Sequence, residues 1–249
     1  HVSCLAEQVK ILMDEAEENN LDKKVKNKRF ARWYECSMCE QDYHGVVKCA
    51  LGWGCWKTYV GRRPETDNCR MTAMMLLGNG LDGVNKHEER IAIVETQLST
   101  VVRLCPQNEV NERAGLNLKH NLARCYLKTG RLEEAARLFR LVYARNKVLA
   151  GATEEGTILA AHQLAGTLIE LGSYDQVKSL VLPLLRQFKP TSESGQSFRL
   201  VYAKALYRPA GASRAEVSEA VAIFDDVLCK LRRVLGPSHP ETLATLAEP

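Results

Sequence analysis

Histidine and cysteine pairs separated by two residues are the part of this sequence best suited to chemistry. His1 and Cys4 form one pair, and Cys36 and Cys39 form a second. Two cysteines at this spacing suit zinc, because a tight turn points both side chains at one ion. The spacing therefore favours a zinc-binding role for Cys36 and Cys39, with no nucleophile or general base beside them.

The order of these pairs resembles the second half of a RING-CH zinc finger. His1-x2-Cys4 comes first, and Cys36-x2-Cys39 follows with Trp33 just before it. The resemblance implies two zinc ions in a cross-brace, with His1 and Cys4 on one ion and Cys36 and Cys39 on the other. It also implies a ubiquitin-conjugating enzyme as partner, because such ligases act by positioning that enzyme. The other four ligands would precede His1, so we expect a longer protein.

Other interpretations of the same cysteines stay open. Cys36, Cys39, His44 and Cys49 have the spacing of a zinc knuckle, a four-ligand module that binds single-stranded nucleic acid. However, Gly45–Tyr59 is an apolar run typical of a helix, which would carry Cys49 into a core as a free thiol. A redox pair is the least favoured, because no β-alternation supplies the strand that precedes a thioredoxin-like helix.

The last two thirds of the sequence repeat with a period of about 42 residues, which is in the range of helical repeat arrays. Ala123 and Gly130 of one unit are matched by Ala165 and Gly172 of the next, at the same offset. Each unit has two apolar stretches of helical period, helix A and helix B, separated by a glycine-containing break. One such hairpin cannot cover its own apolar face, so stacked copies must share a core. The pattern predicts an all-α fold of stacked helical hairpins.

These repeats resemble tetratricopeptide repeats, and the long period and the linker Leu235–Leu243 resemble the kinesin light chain type. The resemblance implies a superhelix over residues 67–249, with about four hairpins and the start of a fifth. Residues 1–66 then form a small Cys/His-rich segment with linking helices. Within the first repeat, Leu77–Gly83 is interpreted as the passage from helix A to helix B. An insertion at Pro209–Gly211 is expected to lengthen the turn of the fourth repeat.

In repeats of this type the A helices line a groove. Aligning the units on Ala123, Ala165 and Ala203 predicts the side chains that face it. They are Asn79, Asp82, Asn117, His120, Arg124, Lys128, His162, Glu170, Lys204 and Arg208. Asparagine amides can hydrogen-bond a peptide backbone, and arginine can bind a carboxylate through two N–H groups. Because basic groups outnumber acidic ones, we expect a modest preference for acidic segments of partner proteins.

The composition fits a folded interaction protein. Of the 249 residues 45% are hydrophobic and 26% charged, and the net charge of +4 is mild. No apolar run reaches the length of about 20 residues that a membrane span needs. An odd count of nine cysteines without a secretory signal favours reduced thiols and a cytoplasmic location. The basic stretch Glu15–Trp33 is interpreted as a solvated helical face, because it lacks the interleaved aromatics of a nucleic-acid site.

We therefore expect a protein–protein interaction scaffold without an intrinsic active site. In one version it is attached to a zinc finger of the RING-CH ubiquitin-ligase type. In the other it is a cargo or adaptor repeat protein, with a structural or knuckle-like zinc site and no part in ubiquitin transfer.

Overall fold

A computed structural model describes residues 1–247 of the chain, except for the side chain of Glu241. It divides into two compact units, His1–Gly130 (unit 1) and Arg131–Pro249 (unit 2). In the described residues every regular element is helical, and the only β-type pairing is an isolated bridge between Glu35 and Asp42. The predicted all-α fold is confirmed.

Unit 1 begins with a helical segment that precedes the first repeat. It contains α1 (Val2–Glu18), α2 (Lys23–Phe30), a 3₁₀ turn (Ala31–Trp33) and α3 (Gly45–Tyr59), followed by α4 (Asn68–Asp82), α5 (His87–Leu104) and α6 (Glu109–Lys128). The apolar run predicted as a helix is α3, with the same bounds. The side chain of Asp22 caps α2 by accepting the N–H groups of Lys24 and Val25. Asp67 caps α4 by accepting the N–H of Arg70.

The first part of unit 1 has its own apolar core. Helices α1, α3 and α4 and the 3₁₀ turn bury one cluster of side chains, namely Val9, Met13, Trp33, Leu51, Cys55, Tyr59, Ala73 and Leu76. Trp33 lies edge-on to Tyr59, with ring centroids 6.3 Å apart. Cys55 is fully buried in this cluster, so it is a core side chain, and its burial raises the pKa of the thiol.

Helices α3 and α4 touch along their backbones at two glycines. A Cβ atom on Gly52 would lie 2.9 Å from the carbonyl oxygen of Leu76. A Cβ atom on Gly80 would lie 2.6 Å from the Cα atom of Cys49. Neither position can hold a larger residue unless the helices separate, because real Cβ atoms do not approach backbone so closely.

The first repeat consists of α4 and α5. The Gln97 amide donates to the carbonyl oxygen of Met71 over 3.1 Å and so ties α5 to α4. The interpretation of Leu77–Gly83 as an interhelix passage is wrong in position, because α4 runs to Asp82 and the turn starts only at Gly83. Gly80 stays helical, and its missing Cβ gives α3 the room to approach.

Unit 2 continues the repeats. Its described helices are α7 (Leu132–Ala150), α8 (Glu155–Glu170), α9 (Tyr174–Leu185), α10 (Glu193–Tyr207), α11 (Arg214–Val234) and α12 (Pro240–Leu246). Ala165 of α8 and Ala203 of α10 are fully buried, as expected for small residues at helix contacts. The turn between α10 and α11 is longer than that between α8 and α9, which confirms the predicted insertion.

Glycines end the A helices as predicted. Gly130 follows α6 with φ +76°, and Gly172 follows α8 with φ +68°. In both places nothing lies within 4 Å of an added Cβ. The glycine is therefore required by the left-handed backbone and not by crowding. Helix α11 starts with a capping box, in which Ser213 and Glu216 satisfy each other's backbone N–H groups.

Candidate functional site

The Cys36–Cys39 turn is a compact loop closed by backbone hydrogen bonds. The N–H of Cys36 donates to the carbonyl oxygen of Gln41, and the N–H of Glu40 donates to that of Cys36, each over 2.9 Å. Glu40 has φ +55°, a left-handed conformation that is uncommon for a residue with a side chain. The bridge between Glu35 and Asp42 holds the two ends of the loop together.

The loop stabilises the thiolate form of Cys36. Backbone N–H groups of Cys39 and Met38 donate to it, and the Cys39 thiol and the Tyr43 hydroxyl lie against it; these hydrogen bonds lower the pKa of Cys36. Stabilised thiolates are the form in which cysteine binds metals. Both thiols are accessible, since Cys36 is half-buried and Cys39 exposed.

The other cysteines and histidines predicted as zinc ligands lie elsewhere in unit 1. Exposed His1 and Cys4 lie at the start of α1, and exposed His44 precedes α3. Cys49 lies in α3 facing Gly80, where burial raises its pKa. In the described part of the chain no three His, Cys, Asp or Glu side chains are grouped to hold a metal ion. Zinc binding at His1, Cys4, Cys36 and Cys39, or with His44 and Cys49, stays a prediction.

Asp82 is the centre of a charged cluster on the repeats of unit 1. Its carboxylate lies 2.6 Å from Arg90 and 2.8 Å from Lys128, and His87 Nδ1 lies 3.2 Å away. Burial alone would raise the pKa of Asp82, but hydrogen bonds from Lys128 and Arg90 outweigh it and lower the pKa to about 2. Two predicted groove residues, Asp82 and Lys128, therefore bind each other.

Arg90 and His87 lie on helix B of the first repeat, whereas the predicted groove residues were helix A side chains alone. Arg90 is only 6% exposed, although arginine is seldom buried without a partner. The available signal was its spacing: Arg90 falls on the same face of α5 as the buried Val94, Gln97 and Val101. A charged residue within an apolar stripe predicts a buried ion pair.

The remaining groove residues of unit 1 differ in exposure. Asn117 and Arg124 on α6 are exposed, and Asn79 on α4 is half-buried. His120 is half-buried, and burial, followed by the charge of Arg124, lowers its pKa. The exposed side chains Asn117 and Arg124 are thus accessible to a partner, whereas His120 is a packing residue.

In unit 2 the predicted groove residues lie on α8 and α10. His162 packs against Phe198 with ring centroids 6.1 Å apart, and burial, followed by the charge of Lys204, lowers its pKa. Lys204 lines a cavity of about 320 Å³ with Leu200 and Phe224. Exposed Glu170 ends α8, and the guanidinium of Arg208 lies 5.9 Å from the Tyr207 ring.

Comparison with known proteins identifies the class of repeat. The sequence profile of the tetratricopeptide repeat family matches residues 116–153 and 212–241. The chain therefore carries tetratricopeptide repeats, and the match falls within the region predicted to hold them. No curated protein sequence matches the chain significantly.

Solved structures of kinesin light chain-like repeat proteins have the same fold. Nearly identical TPR-like repeats of a kinesin light chain assigned in Podosopora anserina match with a TM-score of 0.61 and 17% identity, over 94% of this chain and 99% of that chain. A variant of that protein matches at TM-score 0.60 and 15% identity, over 94% and 98%. BtubC (BKLC) of P. vanneervenii matches at TM-score 0.64 and 12% identity, over 96% and 92%. At such identities the likeness shows the fold alone.

The structural matches extend into the segment that precedes the repeats. They cover between 94% and 96% of this chain, so most of the stretch 1–66 has a counterpart in the matched proteins. None of these comparisons supports the RING-CH resemblance. None of the described helices is both long and apolar enough to cross a membrane.

Proposed function

We propose that the chain is a protein–protein interaction scaffold that binds acidic segments of its partners through helix A side chains. The observation that carries this proposal is the surplus of positive charge around Asp82. The one carboxylate is already bound by Arg90 and Lys128. Exposed Arg124 lies one helical turn before Lys128 on α6. A partner carboxylate can bind Arg124 and the partly exposed Lys128 without displacing a buried charge.

Binding of labelled acidic and neutral peptides of equal length, measured by fluorescence anisotropy, tests this proposal. Arg124→Gln is expected to weaken binding of the acidic peptides by about twofold to fivefold, the upper part of the range for one charged contact near a surface. Arg103→Gln is the matched control, because Arg103 is an exposed arginine on helix B that pairs with Glu65. Equal affinity for acidic and neutral peptides, or equal effects of the two substitutions, contradicts the proposal.

A second proposal concerns zinc at the Cys36–Cys39 turn. Its support is the tight turn closed by the left-handed Glu40, which places Cys36 and Cys39 two residues apart, together with the hydrogen bonds that lower the pKa of Cys36. Cys36 and Cys39 would supply two of the four ligands of a zinc ion. His1 and Cys4 are candidates for a separate ion, as the RING-CH interpretation has it. A bound zinc would fix this loop as a rigid structural element.

Cobalt titration of the chain tests the zinc site, because thiolate ligands give Co²⁺ a charge-transfer absorption. We expect Cys36→Ser to abolish this absorption. Cys229→Ser is the control, since Cys229 is an exposed cysteine on α11. If Cys36→Ser has the same Co²⁺ absorption spectrum as the wild type, the proposal is wrong. A ubiquitin-conjugating enzyme as partner and a cytoplasmic location stay predictions, for which no contact in the described structure offers support.

A further inference from the structure

A second candidate binding surface lies in unit 1, outside the groove residues of the repeats. Two adjoining cavities of about 410 Å³ each run between α2 and α4. Both are lined by Asn27, Phe30 and Thr72, so they adjoin at these residues, and we name the two together the α2–α4 cleft. One end lies at Lys23 and Asn68, and the other end lies at Tyr34 and Asn79.

One face of α2 lines this cleft. Lys23, Lys26, Asn27 and Phe30 all contribute to its wall. Their spacing from Lys23 is that of one helical face, because residues three, four and seven positions apart point the same way. Lys24 and Lys28 of the same helix lie off this face and do not line the cleft. The short helix therefore divides its lysines between a cleft side and a solvent side.

The positive charges of Lys23 and Lys26 are not neutralised within the described chain. No side chain that the structure describes forms an ion pair or hydrogen bond with the ammonium group of Lys23 or Lys26. Of the two acidic side chains in this lining, Glu17 pairs with Arg62, and Asp67 keeps its charge as the cap of α4. The cations Lys23, Lys26 and Arg62 still outnumber these two carboxylates. This end of the cleft therefore presents two unpaired ammonium groups next to the amides of Asn27 and Asn68.

The opposite end of the cleft is apolar and close to neutral. Lys48 is 3.7 Å from Asp42, which neutralises it. Met75 is 47% exposed there, although it lies on a helix with a buried core face. Leu76 and Tyr34 complete the wall. An uncovered methionine in a cavity is typical of a surface that accepts an apolar side chain.

We propose that the α2–α4 cleft binds an extended acidic peptide segment of a partner protein, with carboxylates at Lys23 and Lys26 and an apolar side chain at Met75. The part of α4 from Asn68 to Asn79 spans about 17 Å of helix axis, which matches about five residues of extended chain. Asn27, Asn68 and Asn79 can hydrogen-bond its backbone.

A nucleic acid fits this cleft less well. Its phosphates need positive charge along the whole cleft, and its bases need exposed aromatic faces. Positive charge without a paired carboxylate is confined to the end at Lys23 and Lys26, since Lys48 at the other end pairs with Asp42. Phe30 is tilted against Tyr59, with 5.6 Å between ring centroids. The charge distribution and the packing of Phe30 therefore favour a peptide.

The test uses three fluorescein-labelled peptides of about eight residues, long enough to span the cleft. The first has a glutamate-rich half followed by leucines, the second replaces each glutamate by glutamine, and the third replaces each by lysine. A labelled oligothymidine is the fourth probe. Anisotropy is measured with the whole chain at low and at physiological salt. We expect the glutamate peptide to bind most tightly and to weaken as salt rises.

Two charge-matched double variants locate the binding. Lys23→Glu with Lys26→Glu is expected to weaken the glutamate peptide by at least about tenfold, since two attractions become repulsions. Lys24→Glu with Lys28→Glu changes the net charge equally on the same helix and is expected to change affinity by less than about threefold. Met75→Gln should weaken the peptide severalfold by removing its apolar contact. Circular dichroism of all variants, which change surface positions, checks the fold.

Other results overturn the proposal. Equal loss in the two double variants means a diffuse attraction to α2, and tighter binding of oligothymidine than of the glutamate peptide means a nucleic-acid surface. Absence of any peptide binding also rejects it. Arg124→Gln separates this site from the repeat groove, because the part of the affinity that Lys23→Glu with Lys26→Glu removes should be the same in the presence of Arg124→Gln. The proposal and the scaffold function can thus fail independently.

Discussion

Two helix pairs in this chain pack by different means. In unit 1, α3 and α4 meet backbone to backbone at Gly52 and Gly80. In unit 2, α10 and α11 pack through side chains of different sizes, with the small Ala203 and Ala220 beside the large Leu206 and Phe224. The first pair depends on the absence of Cβ atoms, whereas the second depends on the shapes of the side chains that fill the gap.

These two kinds of helix contact differ in how well they tolerate amino-acid substitutions. A contact made by side chains can adjust through rotamers when one residue is replaced, so its cost is moderate. A backbone contact has no such freedom, because the atoms that would have to move are fixed by helix hydrogen bonds. We therefore expect the α3–α4 contact to be the most sensitive to single substitutions.

Gly80→Ala tests this comparison with the largest expected effect. Its Cβ would lie 2.6 Å from the Cα atom of Cys49 and 3.0 Å from the carbonyl oxygen of Lys48. We expect a loss of about 3 kcal/mol in the free energy of unfolding, because α3 must move away from α4 and uncover its core. Thermal and urea unfolding followed by circular dichroism measure the loss.

Gly115→Ala is the matched control in the same unit. Gly115 is also within a helix, α6, but nothing lies within 4 Å of an added Cβ. Alanine is the better helix former, so we expect a gain of about 0.5–1 kcal/mol. If both substitutions lower stability to the same degree, then close approach is not what distinguishes the α3–α4 pair.

Asp82→Asn is expected to have an intermediate effect, of about 2 kcal/mol, on the stability of unit 1, because such a change leaves a buried charge unpaired. The substitution leaves Arg90 largely buried without its counter-charge. Since the pKa of Asp82 is about 2 in the folded state and about 4 in the unfolded chain, its stabilisation is present above about pH 4. It is lost as the pH falls from there towards the folded-state pKa.

Urea unfolding at several pH values between about 2 and 5 measures this linkage. The wild-type chain should lose stability over that window, and Asp82→Asn should lose less. Asp14→Asn, at an exposed position on α1, is the control. Identical pH profiles for the wild type and Asp82→Asn rule out the ion cluster as the cause.

His162→Gln should have the smallest effect and should change pH dependence in unit 2. Burial lowers the pKa of His162, so the unfolded chain binds its proton more readily than the folded one. Stability is therefore present above the unfolded pKa of about 6.5 and falls as the pH drops below it. The variant should lose less stability than wild type between about pH 7.5 and about pH 5.5 in thermal melts. His44→Gln, at an exposed position, should behave as wild type.

The repeats could be predicted from the sequence because their signals are local. Gly130 and Gly172 mark the ends of A helices through backbone conformation, and Ala165 and Ala203 mark close packing. These features depend on residue type and spacing, which the sequence shows directly. The apolar run Gly45–Tyr59 gave α3 its bounds for the same reason.

What the sequence did not show depends on distant contacts. Cys55 and Trp33 are core residues in the first part of unit 1. For Cys55, nothing near it in the sequence distinguishes a core thiol from a metal ligand. The junction after α3 carried an unused signal, because Pro64–Thr66 repeats the Pro-Glu-Thr of residues 240–242. In both places the motif lies between one helix and the next repeat, so α3 has the position of a helix B ahead of the first repeat. The Asp82–Arg90 pair joins two helices, so no local pattern specifies it.

The pair of glycines between α3 and α4 also limits how the array can change by exchange of hairpins during evolution. Duplication and exchange of single hairpins are the usual way in which repeat arrays grow, since each hairpin contacts only its neighbours. Exchange at this junction would require the incoming hairpin to carry a glycine opposite Cys49 and to accept Gly52. The stretch 1–66 and the first repeat are therefore expected to descend together as one evolutionary unit, while the hairpins after them are free to multiply or disappear.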